Sequence, residues 1–244
     1  MIPINATPQR LYLMQLSTSI IPTRPQPSAG SAGCYLVQTG DGKNILIDSG
    51  MPADYTLPAG APEAENEKNV LAHLTDLGLR PDDIDLVICT HFDVDHAGYH
   101  DAFPRAEFIV QRAHYELARS GDPRYAAARA HWDHPALRYR LIDGDTELLP
   151  GLSLIETSGH APGHQSVLLR LPRTGNVLLA IDAIVLQSLF TPEREAWPIE
   201  NEAQLRASTQ KLLDLVMREH VALVVFGHDG NQWQTLKKAP AYYD

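Results

Sequence analysis

The chain has 244 residues, 44% apolar and 20% charged, enough to bury a sizeable core and far from the composition of a disordered segment. Thirty acidic residues against 20 basic give a formal charge of −10, which argues against a nucleic-acid partner or attachment to an anionic membrane surface. No apolar run reaches the roughly 18 residues of a membrane helix, Met1–Pro22 does not read as a signal peptide, and Cys34 and Cys89 read as buried free thiols. A cytoplasmic enzyme of one domain spanning residues 1–244 is expected, as monomer or homodimer.

In chain order, Leu11–Leu16, Cys34–Gln38 and Asn44–Asp48 read as strands, the last two joined through Thr39-Gly40-Asp41-Gly42 as a hairpin. Pro22–Gly33 and Pro52–Asn66, rich in proline, read as loops. Val70, Leu71, Leu74 and Leu77 share one helical face that Gly78 ends, and Leu86–Cys89 reads as a strand buried on both faces. A strand at Phe108–Val110 leads into a helix near Ala113–Arg119. Strands follow at Tyr139–Ile142, Leu152–Glu156, Ser166–Leu171 and Val177–Ile181, then a long amphipathic helix at Asn201–Glu219 and a buried strand at Ala222–Phe226. Hairpins mixed with helices point to a layered α/β architecture of packed sheets with helices outside.

Chemistry collects at the strand exits. After Leu86–Cys89 comes Thr90-His91-Phe92-Asp93-Val94-Asp95-His96, four donor residues within six positions. His91 and Asp93 point the same way in an extended segment, and a turn at Asp95 and His96 would aim both at a neighbouring point. Imidazoles and carboxylates suit zinc, manganese or iron, and cations would neutralise clustered acids. A solvated turn with capping aspartates is the competing account. Three more exits weigh against it: Leu152–Glu156 runs into His160 and His164, Val177–Ile181 ends at Asp182, and Ala222–Phe226 ends at Gly227-His228. Convergence on a metal is the economical reading.

These runs, with Ile47-Asp48-Ser49-Gly50, Gly163-His164-Gln165-Ser166 and Phe226-Gly227-His228-Asp229, resemble the metallo-β-lactamase superfamily, and within it the quorum-quenching N-acyl-homoserine lactonases, over nearly the whole chain from about residue 34. The resemblance implies an αβ/βα sandwich with two divalent ions, zinc first. His91, Asp93 and His160 would hold one ion and Asp95, His96 and His228 the other, with Asp182 bridging. Asp48 would orient ligands, and His164 would serve as an inner hydrogen-bonding group. His73, His100, His114, His131, His134 and His220 carry no motif and read as packing or surface residues.

Three positions depart from the family pattern. Asp93 stands where the family usually has histidine, which favours manganese or iron relative to zinc or leaves one site weakly occupied. Val185 replaces a tyrosine that contacts the substrate carbonyl, and Val94 a phenylalanine; both positions are expected at the substrate pocket. The implied reaction is opening of a lactone ring by a metal-activated hydroxide, with Asp95 passing the proton to the leaving oxygen. The alternatives are hydrolysis of another lactone, ester, thioester or phosphoester, diiron redox chemistry, and a metal- or ligand-binding module without turnover.

Overall fold

The computed structural model describes residues 6–21, 27–57, 64–66 and 68–244. Period-two burial builds its first sheet. In β1 (Pro8–Ile21), Leu11 and Leu13 face one side and Tyr12 and Met14 the other; β2 (Ser28–Thr39) and β3 (Asn44–Ile47) repeat the alternation, Ile45 and Ile47 opposing Leu46. With β4 (Ala64–Asn66), β5 (Leu86–Ile88), β6 (Glu107–Gln111) and β7 (Arg138–Ile142) they form a seven-stranded sheet in the order β4-β1-β2-β3-β5-β6-β7. Its β4 to β3 part is antiparallel and its β3 to β7 part parallel.

The second sheet is β8 (Thr146–Leu149), β9 (Leu152–Glu156), β10 (Gln165–Leu171), β11 (Gly175–Ile181) and β12 (Leu223–Phe226), in the order β12-β11-β10-β9-β8. Leu11, Leu13, Ile45, Ile47, Ile88 and Ile109 from the first sheet meet Leu154, Val167, Leu169, Val177 and Leu179 from the second, so one core fills the space between them. On the outer face of the first sheet, α1 (Val70–Asp76), α2 (Arg112–Arg119) and α3 (Arg129–Trp132) cover Met14, Leu36, Leu46, Val87 and Phe108. On that of the second, Leu212 and Leu215 of α4 (Glu202–Arg218) cover Leu178 and Ala180. A last turn, α5 (Gly230–Trp233), puts Trp233 into the central core. This is the expected αβ/βα sandwich.

The long strands run further than the apolar pattern predicts. β1 reaches Ile21, and β2 starts at Ser28 rather than after Gly33, correcting the loop expected there; residues 22–26 lie outside the described residues. Gly33 marks close approach and not a turn, because a Cβ there would stand 2.3 Å from the Trp233 ring. Within Pro52–Asn66, residues 58–63 lie outside the described residues and Ala64–Asn66 pairs with β1. β8, with exposed Glu147, was not expected as a strand. The stretch Leu186–Trp197 is partly folded inward: Leu186 is buried and the Phe190 ring lies 5.8 Å from that of Phe226.

Two seams bring the strand exits together. Gln165 Nε2 donates to Cys89 O at 2.8 Å and the Gln165 amide to Thr90 O at 3.2 Å, joining the exit of β5 to the start of β10. On the other side, the Ser31 amide donates to His228 O at 3.1 Å, tying β2 to the exit of β12.

Candidate metal centre

Four imidazoles share one arrangement, in which Nδ1 is tied down and Nε2 is aimed inward. His91 Nδ1 meets Thr90 Oγ1 at 3.0 Å, His96 Nδ1 meets Asp48 Oδ2 at 2.9 Å, His160 Nδ1 meets Glu200 Oε1 at 3.1 Å and His228 Nδ1 meets the Ser31 carbonyl at 3.1 Å. Their Nε2 atoms face Asp182 Oδ2 at 3.8, 3.5, 3.4 and 3.1 Å respectively. Such partners fix tautomer and ring orientation so that the free lone pair points at a common centre.

The donors divide into three overlapping groups, His91 with Asp93 and His160, His91 with His96 and Asp182, and Asp95 with His96 and His228, the donor atoms of each group lying within 4.8 Å of one another. Asp182 therefore lies between the outer two groups and His91 between the first two. His91 Nε2, His96 Nε2 and Asp182 Oδ1 are buried without a hydrogen-bond partner among the described residues. Atoms left so cost roughly 1–3 kcal/mol each, and a divalent cation would satisfy them. For Asp95, His96 and His228, with Asp182 3.5 Å from His96 Nε2 and 3.1 Å from His228 Nε2, the residues fit a metal. For the group containing Asp93 the fit is contested: Arg124 Nη2 lies 2.5 Å from Asp93 Oδ2 and 2.9 Å from His160 Nε2.

The backbone pays for this placement locally. Asp48 and Ile181, the latter just before Asp182, adopt φ of 58° and 52°, a region that side chains rarely occupy and that costs about 1–3 kcal/mol. Asp48 is held there by the Thr90 amide on Oδ1 (2.8 Å) and the Thr90 hydroxyl on Oδ2 (2.6 Å). At Gly227 a Cβ would come within 2.6 Å of both Asp182 Oδ1 and Ile181 O, so only glycine lets β12 pass behind the aspartate.

Charges within the cluster set its titration. Burial alone would raise Asp182, but the charges of His228 and His96 outweigh it and hold the carboxyl well below the usual range. His96 and His228 are lowered by burial and raised more by the surrounding aspartates. Burial and the neighbouring His96 keep His91 well below its ordinary value. Burial opposes Asp93 ionisation, yet hydrogen bonds with Arg124 and His160 and the nearby His91 hold it well below. His160 is lowered by burial but drawn up to about 9 by hydrogen bonds to Asp93 and Glu200. The Arg124 guanidinium shares this edge of the ring, Nη2 lying 2.9 Å from His160 Nε2, while Nδ1 meets Glu200.

Of the other residues singled out, His164 lies outside the three donor groups: Nδ1 meets Thr157 Oγ1 at 2.8 Å and its ring centre is 5.0 Å from that of His91. Asp95 Oδ2 sits 3.6 Å from His228 Nε2 and faces a cleft of about 240 Å³ lined by Leu16, Met51, Pro52, Val70 and Tyr99. Neither Val94 nor Val185 lines that cleft. Val185 is fully buried, its carbonyl accepting from the His228 amide at 2.9 Å, and Val94 packs against the core under the helices.

Sequence reasoning missed Arg124, Glu200 and His114. His114 accepts from the Phe92 amide (2.8 Å) and donates to Pro162 O (2.8 Å), pinning the His91–Asp93 turn to the His160–His164 turn. No motif surrounds these three; their one local signal is Asp122-Pro123, which caps the turn carrying Arg124.

Residues 28–228 match the metallo-beta-lactamase superfamily. The chain belongs to the metallo-β-lactamase superfamily. It is 36% identical over 220 residues to the N-acyl homoserine lactonase of Bacillus cereus, covering 86% of this chain and 85% of that protein. With the N-acyl homoserine lactonase AttM of Rhizobium radiobacter it shares 35% identity over 229 residues, 86% of each. A solved structure of an N-acyl homoserine lactone hydrolase with the product N-hexanoyl-L-homoserine at its catalytic metal centre superposes with a TM-score of 0.84 at 29% identity, over 97% of this chain and 100% of that one. A quorum-quenching lactonase gives 0.85 at 30% identity over 98% and 100%.

Proposed function

We propose that the protein is a metal-dependent hydrolase that opens the lactone ring of N-acyl-homoserine lactones, and so quenches signals of that class. The observation that carries the reading is Asp95, which borders both the imidazole cluster and the adjoining cleft. The similarity to lactonases over most of the chain supports the substrate class.

Asp95, His96, His228 and Asp182 would hold the cation, and zinc suits a donor set of imidazoles and carboxylates. When bound, a divalent cation acidifies water toward neutrality and polarises the carbonyl. Asp95, the donor-group carboxylate that borders the cleft, would take the proton released by the attacking water and pass it to the leaving alkoxide oxygen. Asp48 and Ser31 hold His96 and His228 in the tautomer that offers Nε2. Leu16, Met51, Val70 and Tyr99 give the acyl chain an apolar wall. Val185 has no hydroxyl to offer the carbonyl, so the charge that develops there would be met by other donors. Losing one such donor typically costs about 2.7–4 kcal/mol.

The two sheets share a single core, which supports one hydrolase domain over residues 1–244. No helix among the described residues is long and apolar enough to cross a membrane. The buried free thiols Cys34 and Cys89 support a cytoplasmic setting.

The test is ring opening of N-hexanoyl-homoserine lactone by zinc-loaded protein, alongside an ester, a thioester and a phosphoester. Turnover of the lactone, with Asp95→Asn slower by about 10²–10⁴-fold at equal metal content, is expected. Turnover of another ester alone would replace the substrate, and binding without turnover of any would leave a binding module.

A further inference from the structure

The Arg124 guanidinium lies where the second donor group would receive an ion. Nε donates to Asp93 Oδ1 at 2.7 Å and Nη2 to Asp93 Oδ2 at 2.5 Å, a two-pronged pair that a carboxylate accepts and an imidazole cannot. Nη2 also reaches His160 Nε2 at 2.9 Å, and Nη1 donates to the His160 carbonyl at 2.6 Å. Two of the three donor atoms of the His91, Asp93 and His160 group thus already serve a cation belonging to the chain. We infer that the centre holds one metal ion, among Asp95, His96, Asp182 and His228, and that Arg124 is the fixed second cation.

The seat is built rather than incidental. The Asp122 carboxylate caps the turn at the Arg124 amide (2.9 Å), Pro123 stiffens it, and the next residue, Tyr125, is buried with its ring 4.8 Å from His114. The Arg124 side chain is four-fifths buried. Asp93 and Arg124 are matched, since the carboxylate at 93 is the group that a guanidinium fork requires. His91 is not stranded, because it also belongs to the donor group of His96 and Asp182. With Asp93 engaged, the donor that would favour a harder ion is withdrawn from metal binding, and two imidazoles with two carboxylates remain for the ion, with His91 beside them, a set suited to zinc.

The inference rests on the metal-dependent reading above only for the identity of the centre, and its test counts ions without using turnover. Zinc per chain is measured by native mass spectrometry and elemental analysis after dialysis against excess buffered zinc. The wild-type chain is expected to retain one ion. Arg124→Ala and Arg124→Gln, with unchanged circular dichroism, are expected to take up a second, because Asp93 and His160 are then free. Two ions in the wild-type chain would overturn the inference. A count that stays at one in whichever of the two variants folds would overturn the role given to Arg124. An inactive protein that still binds one ion, and two when Arg124 is replaced, would contradict the lactone reading and leave this one standing.

Discussion

Asp48 illustrates how one buried side chain governs a centre it does not belong to. It accepts from the Thr90 amide and hydroxyl and from His96 Nδ1, so it fixes both the exit of β5 and the ring that offers Nε2. Asp48→Asn exchanges an acceptor for an amide donor facing Thr90 or His96. Zinc affinity, measured by competition with a chromophoric chelator, is expected to fall about 10–100-fold with the fold intact. His91, Asp93, Asp95, His96, His160, Asp182 and His228 are legible in the sequence because residues with donor atoms stand directly after apolar runs. Arg124 and Glu200 are not, since a common charged residue in an irregular segment reveals its partner only when the chain folds back across 31 or 40 positions.

At the scale of the elements, strand exits explain why scattered residues meet. β5, β9, β11 and β12 each deliver a donor, and the seams at Gln165 and Ser31 hold their ends in one place. Gly227 is the tightest point. In Gly227→Ala the new methyl collides with Asp182 Oδ1 and the Ile181 carbonyl, neither of which is the tip of a flexible chain. Metal binding is expected to weaken at least tenfold while circular dichroism is retained; an unchanged zinc affinity would show that Asp182 does not need its observed position. The inner parts of most strands were readable from alternation, but their ends were not. Ser28–Gly33 looks like a loop because its glycines suggest turns, whereas at Gly33 the glycine makes room for Trp233. β8 is short and exposes Glu147, so it lacks a buried run to announce it.

Across the whole molecule, acid stability depends on histidines kept neutral inside the core. His100 is fully buried between the rings of Phe92 and Phe108, and burial, followed by the charges of His131 and His96, lowers it to about 3. Unfolding frees it to take up a proton below about 6.5, so its cost is absent above that pH and grows as pH falls toward 3. At pH 5 this amounts to about 2 kcal/mol. Denaturant unfolding of the wild-type chain and His100→Leu at pH 7 and pH 5 is expected to show the variant losing less stability by about that amount. Equal losses would mean that His100 is charged in the fold.

The claim on which all of this rests is that one metal-binding centre forms where the strand exits of the two sheets meet. Zinc-loaded crystals measured on both sides of the zinc absorption edge test it directly. The account predicts an anomalous peak among Asp95, His96, Asp182 and His228. A map with no peak there, or with the zinc bound elsewhere on the molecule, would contradict it.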